Sequence, residues 1–254
     1  MRKSLVAFLL LVFFSTAYSQ EITVAAAADL NYALKDLAAR FEKKTGDKVM
    51  LSFGSSGNLF SQLQSGAPFD LFFSADEQYP QKLATAGLID PASLRSYAVG
   101  HLVLWVPNGL GLDPEAMKMN LLLQPSVQHI AVANPQNAPY GRAAMAALKH
   151  FGLKEKLANK LVFGENISQA AQFVQSGNAQ AGLIALSLAM SPAMKGAGRY
   201  WQLPSDSYPA LRQTAGIVSA SKHRQSAQAF LDYVTSPEGA AVLEQYGFAV
   251  PPGK

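Results

Sequence analysis

The sequence predicts an α/β protein made of two lobes joined by two hinge-crossing strands. Three observations carry that prediction. Short apolar runs alternate with helical periodicity from Ile22 to Ala86 and again from Ile130 to Leu186, the signature of strand–helix repeats. Runs such as Leu71-Phe72-Phe73 are near-continuously apolar, as expected of parallel strands covered on both faces. A break in composition, Pro107-Asn108-Gly109-Leu110-Gly111, separates the two sets. A chain of 254 residues, 49% hydrophobic and 15% charged, has the material for two lobes of roughly 100 to 150 residues, each with its own core.

The first twenty residues stand apart. Met1-Arg2-Lys3 is basic, Leu5 to Phe14 is apolar, and Ala17-Tyr18-Ser19 offers small residues where a signal peptidase cuts, so residues 1–19 read as a cleaved secretory signal. The apolar run is shorter than the roughly 20 residues of a membrane span. Ile22-Thr23-Val24 then reads as a buried strand running into the alanine turn Ala25 to Ala28. Asp29 is the natural N-cap of a helix carrying Leu30, Ala33, Leu34, Leu37, Ala38 and Phe41 at helical spacing. Thr45-Gly46-Asp47 ends it, and Val49 to Phe53 is the next strand.

That strand delivers the chain to Phe53-Gly54-Ser55-Ser56-Gly57-Asn58-Leu59. A small-residue turn opening a helix leaves N–H groups unpaired at the positive end of the helix dipole, with hydroxyls beside them. On its own the turn is a plain N-cap; it becomes an anion site if other loops converge on it. The second helix stops at Ser65-Gly66-Ala67-Pro68, Asp70 to Ser74 is a third strand, and helix follows from Glu77 to Ala86. Right-handed crossovers in such a βαβαβ unit put the turns after Val24 and Phe53 at one carboxyl edge of the sheet. Ser74-Ala75-Asp76 reads as a helix cap.

Val99 to Val106 reads as one apolar strand. The second lobe then repeats the pattern: strand Ile130 to Ala133, the loop Asn134 to Gly141, a helix through Met145 and Leu148, strand Leu161 to Phe163, the turn Gly164 to Ser168, a helix through Phe173 and Val174, and strand Gly182 to Leu186. Gly216 to Ala220 reads as a return strand, and Gln225 to Val234 and Pro237 to Tyr246 as closing helices. The lobes are therefore expected at 20–101 with 216–254, and at 102–215. Leu102 to Val106 and Gly216 to Ala220 form the crossings, with a ligand cleft between the lobes.

Chemistry is sparse. The absence of cysteine removes disulfides, lipid-modified cysteine and thiolate metal sites. His101, His129, His150 and His223 have no metal-ligand spacing. Gly54-Ser55-Ser56-Gly57 lacks the second glycine of a nucleophile elbow, because Asn58 stands there, so a secreted hydrolase using Ser56 is the remote alternative. There is no phosphate-loop lysine and no G-x-G-x-x-G after a strand. Without Arg2 and Lys3, Lys plus Arg falls from 21 to 19 against 17 acids, too little charge for nucleic acid.

Together these segments resemble the periplasmic molybdate-binding proteins of ABC-type molybdate importers over essentially the whole chain after the leader. The resemblance rests on Ala25 to Leu30, Phe53 to Gly57, Gly66 to Asp76, Asn134-Pro135 with Ala138 to Gly141, and Tyr246-Gly247-Phe248. It implies a two-lobe periplasmic-binding-protein (flytrap, type II) fold. It also implies a monomer without cofactor that carries molybdate or tungstate to a membrane permease; sulfate or phosphate is the alternative cargo.

In that family hydroxyls and backbone N–H groups hold the oxyanion without cations. The resemblance assigns Ser56 as hydroxyl and N–H donor, Tyr140 as the binding tyrosine, and the N–H of Ile167. Two positions depart from the pattern. Asp29 stands where many relatives have a donating serine, and it is expected to cap the N–H of Asn31 or Tyr32 while its own N–H faces the ligand. A carboxylate turned into the cleft favours a protonated oxyanion such as hydrogen phosphate. Ala185 replaces a covering tyrosine, a role left to Tyr140.

Overall fold

The computed structural model describes residues 19–250; the leader expected over residues 1–19 lies outside them except for Ser19. The chain starts with β1 (Glu21–Ala27), a 3-10 turn at Ala28–Leu30, α1 (Ala33–Thr45), β2 (Lys48–Gly54), α2 (Ser56–Gln64), β3 (Leu71–Ser74), α3 (Gln78–Thr85) and β4 (Arg95–Gly100). The middle runs through β5 (Leu102–Pro107), α4 (Pro114–Met117), β6 (Ile130–Ala133), α5 (Pro139–His150), β7 (Leu161–Gly164), α6 (Ile167–Gln175), β8 (Ala181–Ala185), α7 (Leu186–Ala189) and β9 (Gly198–Gln202). β10 (Leu211–Ile217), α8 (Arg224–Val234) and α9 (Pro237–Gln245) complete it.

Two five-stranded sheets organise these elements, in the orders β2-β1-β3-β10-β4 and β7-β6-β8-β5-β9. Each has a parallel core, β2-β1-β3 in one and β7-β6-β8 in the other, extended by antiparallel strands. This is the two-lobe α/β arrangement expected. The local reasons are visible along the chain. α1 buries Leu34, Leu37, Ala38 and Phe41 on one stripe and stops at Gly46, whose left-handed φ of 84° lets its N–H close back on the Glu42 carbonyl. The four residues of β3 are all buried. Phe41, Phe73 and Phe230 stack edge to face, tying α1 and α8 onto the first sheet.

Both crossings differ from the expectation. Val99 to Val106 is not one strand: it breaks at His101, so that β4 belongs to the first sheet and β5 to the second. Gly100 explains the geometry there, since a Cβ on it would stand 2.2 Å from the Tyr140 hydroxyl. The return also comes earlier than Gly216, because β10 already pairs with β4 from Leu211. The crossing segment is Leu203 to Ala210, anchored where the Leu102 N–H donates to the Tyr208 hydroxyl at 3.1 Å.

Candidate functional site

Loops at the carboxyl ends of five parallel strands, drawn from both sheets, meet at one cavity. β1 brings Ala27, Ala28 and Asp29; β2 brings Gly54, Ser55 and Ser56; β3 ends beside Ala75; Ala138, Pro139 and Tyr140 follow β6, and Ile167 follows β7. All four residues singled out from the sequence, Asp29, Ser56, Tyr140 and Ile167, therefore line the same small space. Small side chains make this convergence possible. Ala27, Ala28 and Ala75 of the first lobe pack into the hydrophobic cluster of the second.

The wall is rich in donors. Ser56, Tyr140 and Ile167 lie in the first turns of α2, α5 and α6, where N–H groups have no intrahelical acceptor and the helix dipole is positive. Ser55 and Asn166 cap α2 and α6 by accepting from the N–H of Asn58 and Gln169. Capping thus occupies later amides and leaves those of Ser56 and Ile167 for a ligand. The Ser56 hydroxyl accepts from the Ala75 N–H at 3.0 Å, which leaves its own proton to donate.

Asp29 does not behave as a cap. The Asn31 N–H bonds the Ala28 carbonyl instead, and α1 begins at Tyr32 without a side-chain cap. The carboxylate turns the other way: its Oδ2 accepts from Gln213 Nε2 at 2.5 Å, while Oδ1 is buried without a hydrogen-bond partner. The physical reason is the 3-10 turn, which satisfies its own N–H locally and frees the side chain for the buried amide on β10. Burial pushes the Asp29 carboxyl up to about 6, opposed by hydrogen bonding from Gln213 and Tyr140.

Gln213 is itself fully buried and is held by the Tyr97 hydroxyl, 2.7 Å from its Oε1. The same hydroxyl lies 3.0 Å from the Ser74 carbonyl, so its one proton has two acceptors, and it is the Asp29 carboxylate, itself an acceptor, that calls for Nε2 on its side of the amide. Gln213 Nε2 also reaches the Tyr140 hydroxyl oxygen at 3.4 Å, and the Tyr140 proton faces the Asp29 carboxylate. Burial raises the Tyr140 phenol well above its ordinary value, with the Asp29 charge adding to the effect. Tyr140 is thus a buried wall of the cavity, and Ala185 is a buried strand residue at the end of β8.

Contacts across the cleft surround the cavity. The Gly57 N–H donates to the Asn137 carbonyl at 2.8 Å, and Asn58 Nδ2 donates to Glu165 Oε1 at 3.0 Å. The Ser168 and Ser187 hydroxyls donate to the carbonyls of Ala28 and Asp29. Arg142 pairs with Asp76 Oδ2 and donates to the Tyr79 hydroxyl. Asp76 also accepts from the Tyr79 N–H at 3.2 Å, so the helix-capping role expected of it is present together with an interlobe ion pair that the sequence did not reveal. Gln213, Tyr97 and Arg142 carried no local signal; their roles exist only through partners far away in the chain. Among the described residues no group of three or more His, Asp or Glu is placed to hold a metal ion.

Known proteins share this architecture. The model for the family described as bacterial extracellular solute-binding protein matches residues 22–249. The molybdate-binding protein ModA of Azotobacter vinelandii is 41% identical over 234 residues, 92% of each chain. The ModA of Rhodobacter capsulatus is 36% identical over 232 residues, 91% of this chain and 89% of the relative. Among solved structures, the Azotobacter vinelandii periplasmic molybdate-binding protein superposes with a TM-score of 0.85 at 36% identity, covering 91% of this chain and all of that one. With its two sheets, its interlobe cavity and these relatives, the chain belongs to the bacterial extracellular solute-binding protein family.

Proposed function

We propose that this protein is the molybdate-binding component of an ABC-type importer: it captures molybdate, and tungstate with it, between its lobes and hands the ion to a membrane permease. The observation that carries the reading is the convergence of Ser56, Tyr140 and Ile167, three helix first turns from both lobes, on one small cavity. Neutral, fixed dipoles of this kind suit a tetrahedral oxyanion, and each hydrogen bond to a charged acceptor is worth about 1.5 to 3 kcal/mol. The two named relatives support the choice of molybdate.

In this reading the lobes close by hinge motion about His101 and the Leu203 to Ala210 segment, and the cross-cleft hydrogen bonds form on closure. The protein works as a monomer in the periplasm after loss of its leader, without cofactor or nucleic acid. It is a carrier and not an enzyme, in keeping with a Ser56 hydroxyl engaged by an amide N–H.

The test is thermal unfolding of the leader-free protein with molybdate, tungstate, sulfate or phosphate at equal concentration. A ligand at roughly a thousand times its dissociation constant adds about 4 kcal/mol of stability. A rise in midpoint with molybdate and tungstate, and none with sulfate, supports the reading. A rise with sulfate or phosphate alone replaces molybdate as the cargo, and no rise with any of the four ends the oxyanion reading.

A further inference from the structure

The cavity contains a feature that a simple anion cage would exclude: a carboxylate. Asp29 lines it, is 1% exposed, and leaves Oδ1 without a partner. A dianion seated there would have this carboxylate in its wall, and an ionised carboxylate can only accept.

The surroundings offer no charge to relieve the conflict. From β4 the facing titratable group is Tyr97, from α5 it is Tyr140, and Tyr208 lies behind Tyr140; all three phenols are neutral at physiological pH. From β10 the partner is the neutral amide of Gln213. α6 and α7 present the hydroxyls of Ser168 and Ser187, both spent on backbone carbonyls. On α1, Lys35 lies over the Phe53 ring and Asp36 pairs with Arg40. The interlobe charged pair, Asp76 with Arg142, satisfies itself. Two like charges in a water-poor cavity cannot both stay ionised at small cost.

We propose that the oxyanion is bound together with one proton, taken from solvent and held on Asp29, so that Oδ1–H becomes a hydrogen-bond donor to the ion and Asp29 acts as a donor in place of a hydroxyl. Gln213 is the positioning residue: it holds Oδ2 and leaves Oδ1 facing the ion. Burial already places the carboxyl near pH 6 before any anion is added, so the proton is available at modest cost. The proposal rests on the oxyanion-carrier reading and deepens it, because it makes capture proton-linked: affinity falls as the medium becomes alkaline.

The experiment is titration calorimetry with molybdate at pH 7, 8 and 9, in pairs of buffers of different ionisation enthalpy, on the leader-free wild type and on Asp29→Asn. For the wild type the expected result is uptake of about one proton per ion and a dissociation constant that rises about tenfold per pH unit. Asp29→Asn, whose amide donates at every pH, is expected to bind with no proton uptake and a flat pH profile. Gln213→Leu should keep the proton linkage while weakening binding. Molybdate binding by the wild type with no proton taken up and a flat profile overturns this inference and leaves the carrier reading in place. Absence of heat with molybdate, tungstate, sulfate and phosphate at every pH removes both. If Asp29→Asn takes up the same proton as the wild type, the proton resides elsewhere and the assignment to Asp29 fails.

Discussion

Gly57 sits where the two lobes come closest, and replacing it by alanine separates closure from folding. It lies in the first turn of α2, with its N–H on the Asn137 carbonyl at 2.8 Å across the cleft. A Cβ built on it falls 2.6 Å from the Asn137 oxygen, 2.7 Å from the Tyr79 hydroxyl and 2.9 Å from Asn137 Cα. The oxygen and the Cα are backbone atoms, so relief requires the lobes to part. Within its own lobe the one close atom is the Tyr79 hydroxyl at the far end of a side chain, which can shift; Gly57 is not in the left-handed region, and alanine favours a helix by about 1 kcal/mol. In the closed form, overpacking costs about 1 to 3 kcal/mol, and loss of the cross-cleft hydrogen bond adds about 0.5 to 1.5 kcal/mol. A total of roughly 1.5 to 4.5 kcal/mol corresponds to binding weaker by roughly 10- to 1,600-fold. The assay is calorimetric titration with molybdate, alongside thermal unfolding without ligand. The expected result is the loss of affinity with an unfolding midpoint unchanged or slightly raised. Affinity within about threefold of wild type would refute the argument that ligand capture brings α2 against the Asn134 to Ala138 loop.

Other perturbations probe other parts of the molecule. Ser56→Ala removes a hydroxyl donor, and we expect molybdate binding to weaken by about 1.5 to 3 kcal/mol, read as a dissociation constant by titration. Arg142→Ala breaks the pairing with Asp76 and Tyr79 across the cleft. Since Arg142 is partly exposed, the expected cost is about 1 kcal/mol or less. It should appear as faster release in stopped-flow kinetics and should not add to the effect of Asp76→Ala. Away from the cleft, Asp70 accepts from the Thr23 N–H at 2.8 Å and the Ser221 hydroxyl at 2.7 Å. Burial pushes its carboxyl up, but hydrogen bonds from Thr23 and Ser221 and the nearby His223 hold it, on balance, below its ordinary value of 3.8. A lowered carboxyl contributes stability that is present above that ordinary value and lost as pH falls through the lowered one. Asp70→Asn should therefore destabilise by about 1 to 3 kcal/mol at pH 7, and the gap from wild type should close in acid, as measured by urea unfolding at pH 7 and below pH 3.

Several features were legible because they are local. The apolar runs that became β1, β2, β3 and β6 announce themselves by pattern, and Ile130–Ala133 has the bounds the sequence suggests. The turn at Ser55-Ser56 forms because serine caps a helix wherever it precedes one. The cavity residues on these turns follow from strand order, since right-handed βαβ units bring their carboxyl ends together. By itself, then, the sequence determined the two-sheet α/β architecture and the loops that meet at the interlobe cavity.

The tertiary structure decided what depends on distant partners. β9 is an edge strand exposed over most of its length, so it shows no apolar period. β10 begins Leu211-Arg212-Gln213-Thr214, in which the polar Gln213 and Thr214 are buried by sheet partners, β4 beside both and β3 beside Thr214, which is why its start was invisible. His101 became the crossing point because Gly100 must pass beneath Tyr140. Asp29 reads locally as a helix cap, yet a glutamine 184 residues away claims its carboxylate. A side chain's short-range options are written in its neighbours along the chain; which option is taken is settled by long-range contacts that bury it, and here that burial turned an expected cap into part of the wall of the interlobe cavity.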